Sequence, residues 1–374
     1  NSSQITTSDG DAILHGYANG AGTEQGIAFF ASQISSGDGW INLTGTSTGD
    51  GTYPKGIQIG GNSGSTVGSL QSTGGNITLN ASIVTGGSAL LLYEDTSITT
   101  TDGNITITAS SSIGSDINAG GTTPSHILSS TNGNITINAD DVTLDNMTSI
   151  SAGDTLSIQT LDDATTIGLG DATAGVLNLN DTELGILSAG NRIVIGNTDN
   201  IGAVHMNNVD FTGSDFILYG GAMTVDGGLD ADAISFFSQD EITLNAAVSA
   251  TEAGNSIIMT GTGFTNTTGL DSLDAGAGRY LIYMDAPSDV TKGGLTGGNY
   301  YNATYAGNPP ATIGAGLGDR FVYAYQPTLT FTADDIDISP TYDPTYSAFT
   351  YSISGLEPDD TALGSYSGAP TFTS

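Results

Sequence analysis

Apolar and polar residues alternate along most of this chain with a period of two. In GNITLNA (residues 75–81), Ile77, Leu79 and Ala81 share one parity while Thr78 and Asn80 take the other. Such alternation puts one parity on each face of a strand. The motif recurs as GNITITA (103–109) and GNITINA (133–139), with Ile105, Ile107 and Ala109, then Ile135, Ile137 and Ala139, at the apolar positions. Each copy follows Gly-Asn, a turn signal because both residues tolerate positive φ. Looser relatives lie at 26–32, 40–45 and 56–61 upstream, and at 155–160, 176–180, 192–197, 215–221, 241–248, 256–261 and 279–284 downstream. No apolar pattern of helical period persists for three turns, so the pattern predicts no helix.

Short strands at such intervals fit hairpins of a sandwich or barrel, or turns of a β-solenoid. Three features favour the solenoid. The repeat is self-similar down to its Gly-Asn. The repetitive region spans about 325 residues, too long for one sandwich. The spacing wanders from 28 to 30 residues, which a solenoid absorbs in loops on one face. Each strand then pairs in parallel with its copy one turn on, and Ile stacks on Ile. Roughly a dozen turns would give a rod about 60 Å long. The repetition is thus a stacking rule and not a catalytic signature.

A shift to Tyr, Gly and Pro near Asn299 divides the chain into a parallel β-helix at 1–296, a cap and linker at 297–327, and a tail at 328–374. The cap is expected because a parallel stack needs its last edge covered. The tail holds strand-like runs at 329–332, 348–354 and 370–373, too few to close an immunoglobulin-like sandwich of about seven strands. The expected fold is therefore all-β, a β-solenoid followed by a short, incomplete sandwich module.

Composition changes the picture of partners more than of fold. The 374 residues carry 39 acidic and 5 basic side chains, a formal charge of -34, yet only 12% are charged. The surface is accordingly Thr, Ser, Asn and Gly with scattered Asp. Nucleic acid needs clustered Lys and Arg, and anionic headgroups would be repelled. Hydrophobic residues at 37% and their regular alternation argue against disorder. Cysteine is absent, which removes disulfides, thiolate metal sites and cysteine catalysis. No run of 18 apolar residues exists to insert into a membrane. The chain begins at Asn1, as a removed targeting segment or a cut from a longer protein would leave it.

The GNITLNA, GNITITA and GNITINA run resembles the haemagglutination-type repeats of bacterial filamentous haemagglutinins, large exoproteins of two-partner secretion. The segment GRYLIYMDAPSDVTKGGLTGGNYYNATYAGNP (278–309) is similar to the one that ends the helix in a subset of that family. In the tail, LTFTADDI, FTYSISGLEPDDTA and SGAPTFT resemble the first part of the small β-sandwich modules called MBG domains, which are repeated in giant surface adhesins. The resemblance implies a right-handed parallel β-helix. It also implies an extracellular or bacterial cell-surface structural or adhesive exoprotein, with no enzymatic activity and no cofactor. The family's N-terminal secretion cap is not recognisable here, and the tail stops partway through its module. Expected partners are neighbouring modules, further copies of the chain, or a glycan or protein on a host or cell surface. One alternative is a filament subunit whose tail is completed by a strand from another copy. Another is a β-helix enzyme acting on polysaccharides.

Candidate chemistry is sparse. His15, His126 and His205 lie more than 75 residues apart and read as solvent-facing or loop residues. The NTDN segment (197–200) matches one element of polygalacturonases, but the Asp-Asp, Gly-His-Gly and Arg-x-Lys elements do not follow it. The five cations, Lys55, Arg192, Arg279, Lys292 and Arg320, are few for a uronate lyase. The acidic pairs Asp162/Asp163, Asp334/Asp335 and Asp359/Asp360 fall in loops or the tail. Calcium is the ion that the oxygen-rich clusters Asp140/Asp141/Asp145, Asp226/Asp230/Asp232 and Asp334/Asp335/Asp337 suit best, although none follows an EF-hand or nonapeptide spacing. They read as solvated turn carboxylates. Gly314, Gly316 and Gly318 precede no helix and make no phosphate cradle. The sequons at Asn42, Asn76, Asn104, Asn134, Asn146, Asn266 and Asn302 reflect composition, and the Gly-Asn copies are expected to form turn ladders. Tyr300, Tyr301, Tyr305, Tyr323 and Tyr325 form the best aromatic cluster, read as a plug for the last turn ahead of a sugar platform.

Overall fold

The computed structural model describes residues 3–20, 22–49, 51, 53–61, 68–84, 86–93, 95–111, 117–120, 126–144, 146–335 and 350–361. They form an all-β protein of stacked parallel sheets, an arrangement consistent with a β-solenoid. The longest sheet has 13 strands, from Ala12–Ala18 at one end to Gly298–Tyr300 at the other. At about 4.8 Å per strand, twelve spacings make it about 58 Å long.

The register follows the sequence repeat. Ile41, Ile77, Ile105, Ile135, Leu156 and Ile193 stand one above the next, and Leu43, Leu79, Ile107, Ile137, Ile158 and Ile195 form a second column. All twelve are buried. Both columns continue with Phe216 and Leu218, then Ile234 and Phe236, so one phenylalanine enters the core at each of these levels, in alternate columns. Glycine is required where two strands approach closely: a Cβ on Gly45 would lie 2.2 Å from the Gly56 carbonyl oxygen.

One sheet carries almost no alternation signal. Five of its seven strands, Ser32–Ser36, Ser69–Ser72, Ser97–Thr100, His126–Ser130 and Met147–Ala152, pair in parallel around a single column, Ile34, Leu70, Ile98, Leu128 and Ile150. Hydroxyls complete it. Ser72, Thr100 and Ser130 are buried and stacked, each three residues before a glycine. Ser130 Oγ donates to the Gly103 carbonyl at 2.7 Å and accepts from the Gly133 amide at 3.0 Å. Thr100 does the same with Gly75 and Gly103, and Ser72 with Gly39 and Gly75. Each hydroxyl thus ties its own corner to the corner one turn back. Beside it runs an asparagine ladder: Asn76 Oδ1 accepts from the Asn104 amide, Asn104 Oδ1 from Asn134, and Asn134 Oδ1 from Thr155, at 2.7–3.0 Å. The Gly-Asn copies are turn ladders, and side chains satisfy the corner amides that strands leave unpaired.

The flanking sheets change midway. A five-stranded sheet ends at Val142–Thr143, and new sheets begin with Ile167–Leu169 and Val209–Phe211. A four-residue helix, Asp181–Leu184, sits at this changeover, where no helix was expected. It is too short for a periodic signal and is held by its cap. Asn180 accepts from the Glu183 amide at 3.0 Å, and Glu183 returns a carboxylate oxygen to the Asn180 amide at 2.9 Å. The other oxygen of buried Glu183 accepts from the Leu144 amide at 2.7 Å, closing the end of the outgoing sheet.

Residues 297–327 contribute two strands to the long sheet. Arg320–Tyr323 pairs in parallel with Gly278–Met284 and, on its other side, with Gly298–Tyr300. In the tail the described residues form one antiparallel pair, Thr330–Ala333 with Tyr351–Ser354. The expected run at 370–373 lies outside the described residues, as do Asp145 and Asp337. Among the described residues no helix is long and apolar enough to cross a membrane.

Candidate functional site

The candidate site is the junction between the stacked sheets and the tail, where three of the five cations gather. Arg279, on the strand Gly278–Met284, is 6% exposed. Its Nε donates to Asn255 Oδ1 at 2.7 Å, Nη1 to the Gly314 carbonyl at 2.8 Å, and Nη2 to the Pro310 and Ile313 carbonyls at 3.1 and 2.7 Å. The guanidinium therefore fixes the 310–314 loop through neutral acceptors, and burial lowers its pKa. Beside it Asp319 Oδ1 accepts from the Tyr280 amide at 2.9 Å. Gly314 is a carbonyl ligand of Arg279 and not part of a phosphate cradle.

The tyrosine cluster divides between two faces. Tyr305 packs edge-on against Tyr283 and Phe237 on the outer face of the long sheet, and Phe237 stacks on Tyr219 at 5.0 Å. With Leu281, Tyr283, Ala303, Ile313 and Val322 it forms a second, smaller core under the 300–314 loop. Tyr301 and Tyr323 instead stack at 5.7 Å at the end of the main core, where Tyr323 is fully buried. Tyr325 is exposed. Burial pushes the Tyr280 and Tyr283 hydroxyls up to about 12, and the first of them accepts from the Gly297 amide at 2.8 Å.

The tail docks on this end through its Pro358–Asp360 turn. Asp360 Oδ2 accepts from the Tyr301 hydroxyl at 2.7 Å and Oδ1 from Asn299 Nδ2 at 2.9 Å. Asn299 Nδ2 also reaches the Pro358 carbonyl at 3.3 Å. Lys292 Nζ lies 3.2 Å from Asp359 Oδ2, 2.9 Å from Asn299 Oδ1, and 4.6 Å above the Phe321 ring. Burial and the Asp360 carboxylate both push the Tyr301 hydroxyl far above the ordinary tyrosine range. This arrangement fixes the direction in which the tail leaves the sheets.

Other candidate residues lie outside this junction. His126 is buried, contrary to the solvent-facing reading, and its Nδ1 accepts from the Thr96 amide at 3.3 Å. His15 is exposed, and His205 Nδ1 lies 3.9 Å from Asp226 Oδ2. In NTDN, Asn197 Nδ2 donates to the Thr160 carbonyl, and buried Asn200 donates to Thr160 Oγ1 at 2.9 Å and accepts from the Gly202 amide. The segment is a bracing turn. Asp140 Oδ1 accepts from the Leu161 and Asp162 amides and from Thr165 Oγ1, and Asp232 from Gly213 and Thr251. These acidic residues bridge successive turns. Among the described residues no three His, Cys, Asp or Glu side chains come together to hold a metal ion.

The sequence offers Tyr301 and Tyr323 as part of a plug for the last turn, Asp359 and Asp360 as an acidic pair in the tail, and Arg279 and Lys292 among the five cations, but marks none of them, nor Asn299 or Asp319, as a contact between sheets and tail. The available signal was charge: in a chain with five cations, three fall between 279 and 320. No family model, no curated protein and no solved structure matches this chain.

Proposed function

We propose that the chain is a non-enzymatic rod from an extracellular or cell-surface exoprotein of the filamentous haemagglutinin type, wound as a right-handed parallel β-helix. The tail is the start of a β-sandwich module. Its work is mechanical: it projects an adhesive or matrix-forming surface and passes a fixed direction to the module beyond. The observation that carries this reading is the parallel pairing that runs through the 13-stranded sheet, with a shift of register between Asn255 and Ile257, joined to a tail that is pinned through both oxygens of Asp360. The site residues that resemble a polysaccharide-cleaving set are used in bracing turns, which disfavours the enzymatic reading.

Immunogold labelling and fractionation of the source cells test the proposal. Label on the outer surface or in the medium is the expected result, and protein confined inside the cells overturns it. A filament of copies joined through their tails is a second reading, favoured by the exposed faces of Thr330–Ala333. Sedimentation at rising concentration with electron microscopy checks it; a monomer throughout removes it.

A further inference from the structure

Far from the junction, the outer face of the sheet formed by Gln25–Phe29, Lys55–Ile59 and Ser88–Tyr93 carries a groove of about 570 Å³. That volume is within the range of small-ligand clefts, roughly 300–1,000 Å³. Its walls hold three aromatic rings, Phe30, Tyr53 and Tyr93. Phe30 and Tyr53 are 44% and 69% exposed, although nothing in the strand register requires aromatic residues outside the core. Register sets the floor: Gln25, Lys55 and Ser88 stand in one column, Ala28, Gln58 and Leu91 in the next.

The polar groups of that floor are built in. Gln58 is 3% exposed; its Oε1 accepts from Gln25 Nε2 at 2.8 Å, and its Nε2 donates to the Gly60 carbonyl at 3.2 Å. An amide has two N–H groups and two acceptor sites, so these two bonds hold its orientation and leave capacity on each side. Lys55 Nζ is anchored on the Tyr53 carbonyl at 3.0 Å, which leaves two further donors. Partial burial of the ammonium favours its neutral form, a cost that an anionic ligand would offset. Among the described residues that line the groove there is no carboxylate, in a chain whose formal charge is -34.

We propose that this groove binds a short glycan containing hexuronate residues. Pyranose rings present C–H faces that stack on exposed aromatic rings, and their hydroxyls pair with amides in both directions. A purely apolar ligand would leave the two remaining ammonium donors and the spare amide capacity of Gln58 unmet, and a polyphosphate would need several cations where the groove offers one. The single ammonium selects one carboxylate. This site is independent of where the rod is displayed and of how its tail docks.

Isothermal titration of the whole chain with trigalacturonate and, separately, with maltotriose tests the assignment. The expected result is binding of the uronate at least tenfold tighter than the neutral sugar, weakened by added salt. Tyr53→Ala and Phe30→Ala should each reduce uronate affinity about tenfold, and Lys55→Met should bring it down to that of maltotriose. All three side chains lie at least partly in solvent, so an unchanged melting temperature certifies folding of the variants. No heat from trigalacturonate at millimolar concentration overturns the proposal. So does equal affinity for both sugars, or uronate binding that the three substitutions leave unchanged.

Discussion

The Tyr301 hydroxyl donates to Asp360 Oδ2 at 2.7 Å, across 59 residues of chain and from the end of the core to the tail. The same carboxylate receives Asn299, whereas neighbouring Asp359 makes an ion pair with Lys292 from a side chain that is 68% exposed. The two adjacent aspartates should therefore differ. Asp360→Ala is expected to raise hydrogen exchange in Thr330–Ala333 about tenfold, since a charge-assisted hydrogen bond is worth roughly 1.5–3 kcal/mol. Asp359→Ala should change it by less than about fivefold, because exposed pairs contribute about 0–1 kcal/mol. Equal effects would show that the docking rests on net charge and not on Asp360.

Alkaline pH should release the tail. In the docked state Tyr301 keeps its proton well above the ordinary tyrosine range, while in an undocked state it titrates near its usual value of about 10. The undocked state thus binds fewer protons above that pH, and docking weakens as pH rises further. Below it this group contributes no pH dependence. Exchange in Thr330–Ala333 should be flat from pH 7 to 9 and accelerate above about 10, beyond the intrinsic base-catalysed rise. Tyr301→Phe should abolish the extra acceleration.

Arg279 organises the cap through four hydrogen bonds, three of them to loop carbonyls. Arg279→Ala leaves the Pro310 and Ile313 carbonyls buried without these donors, at about 1–3 kcal/mol each before relaxation. A loss of about 3–5 kcal/mol in denaturant unfolding is expected. Arg279→Lys should recover less than half of it, because an ammonium cannot span acceptors on both sides of the loop. A loss below 1 kcal/mol would mean that the 310–314 loop holds itself.

The Tyr323 hydroxyl is buried and has no hydrogen-bond partner, though its ring fills the end of the core. Tyr323→Phe keeps the ring and removes the unpaired group, so stability should rise by up to about 1 kcal/mol. Tyr323→Ala should cost about 3–5 kcal/mol through the cavity it leaves. Thermal melts of the two variants, moving in opposite directions, check both statements.

The corner hydroxyls offer a test of the stacking rule. Ser130→Ala removes a donor to Gly103 and an acceptor for Gly133 in a buried corner, and should cost about 1–3 kcal/mol. Ser130→Thr should be tolerated, because Thr100 fills the equivalent position one turn away. If Ser130→Ala proves neutral in equilibrium unfolding, the corner relay does not stabilise the stack.

The sequence by itself determined the stacked columns. Ile77, Ile105 and Ile135 recur at one parity and after one turn signal, and parallel pairing of equal strands brings like residues into register, because burying one face and satisfying the backbone are both local demands repeated each turn. It also carried the asparagine ladder, since Gly-Asn is written beside each copy. The serine-rich sheet was not legible, because Ile34, Leu70 and Ile98 are single apolar residues among hydroxyls and give no alternation to read. The brief helix at Asp181 was hidden by its length, and burial of His126 by the adjacent pair Ile127 and Leu128, which leaves open which parity of its strand faces inward. Only the tertiary structure decided which tyrosines fill the core end and which cover the outer face, and which of two adjacent aspartates takes Tyr301. It alone brought Phe30, Tyr53 and Tyr93 to one groove. These meetings join loops from different turns, and their partners depend on where the stack places each loop, a quantity that no local spacing in the chain encodes.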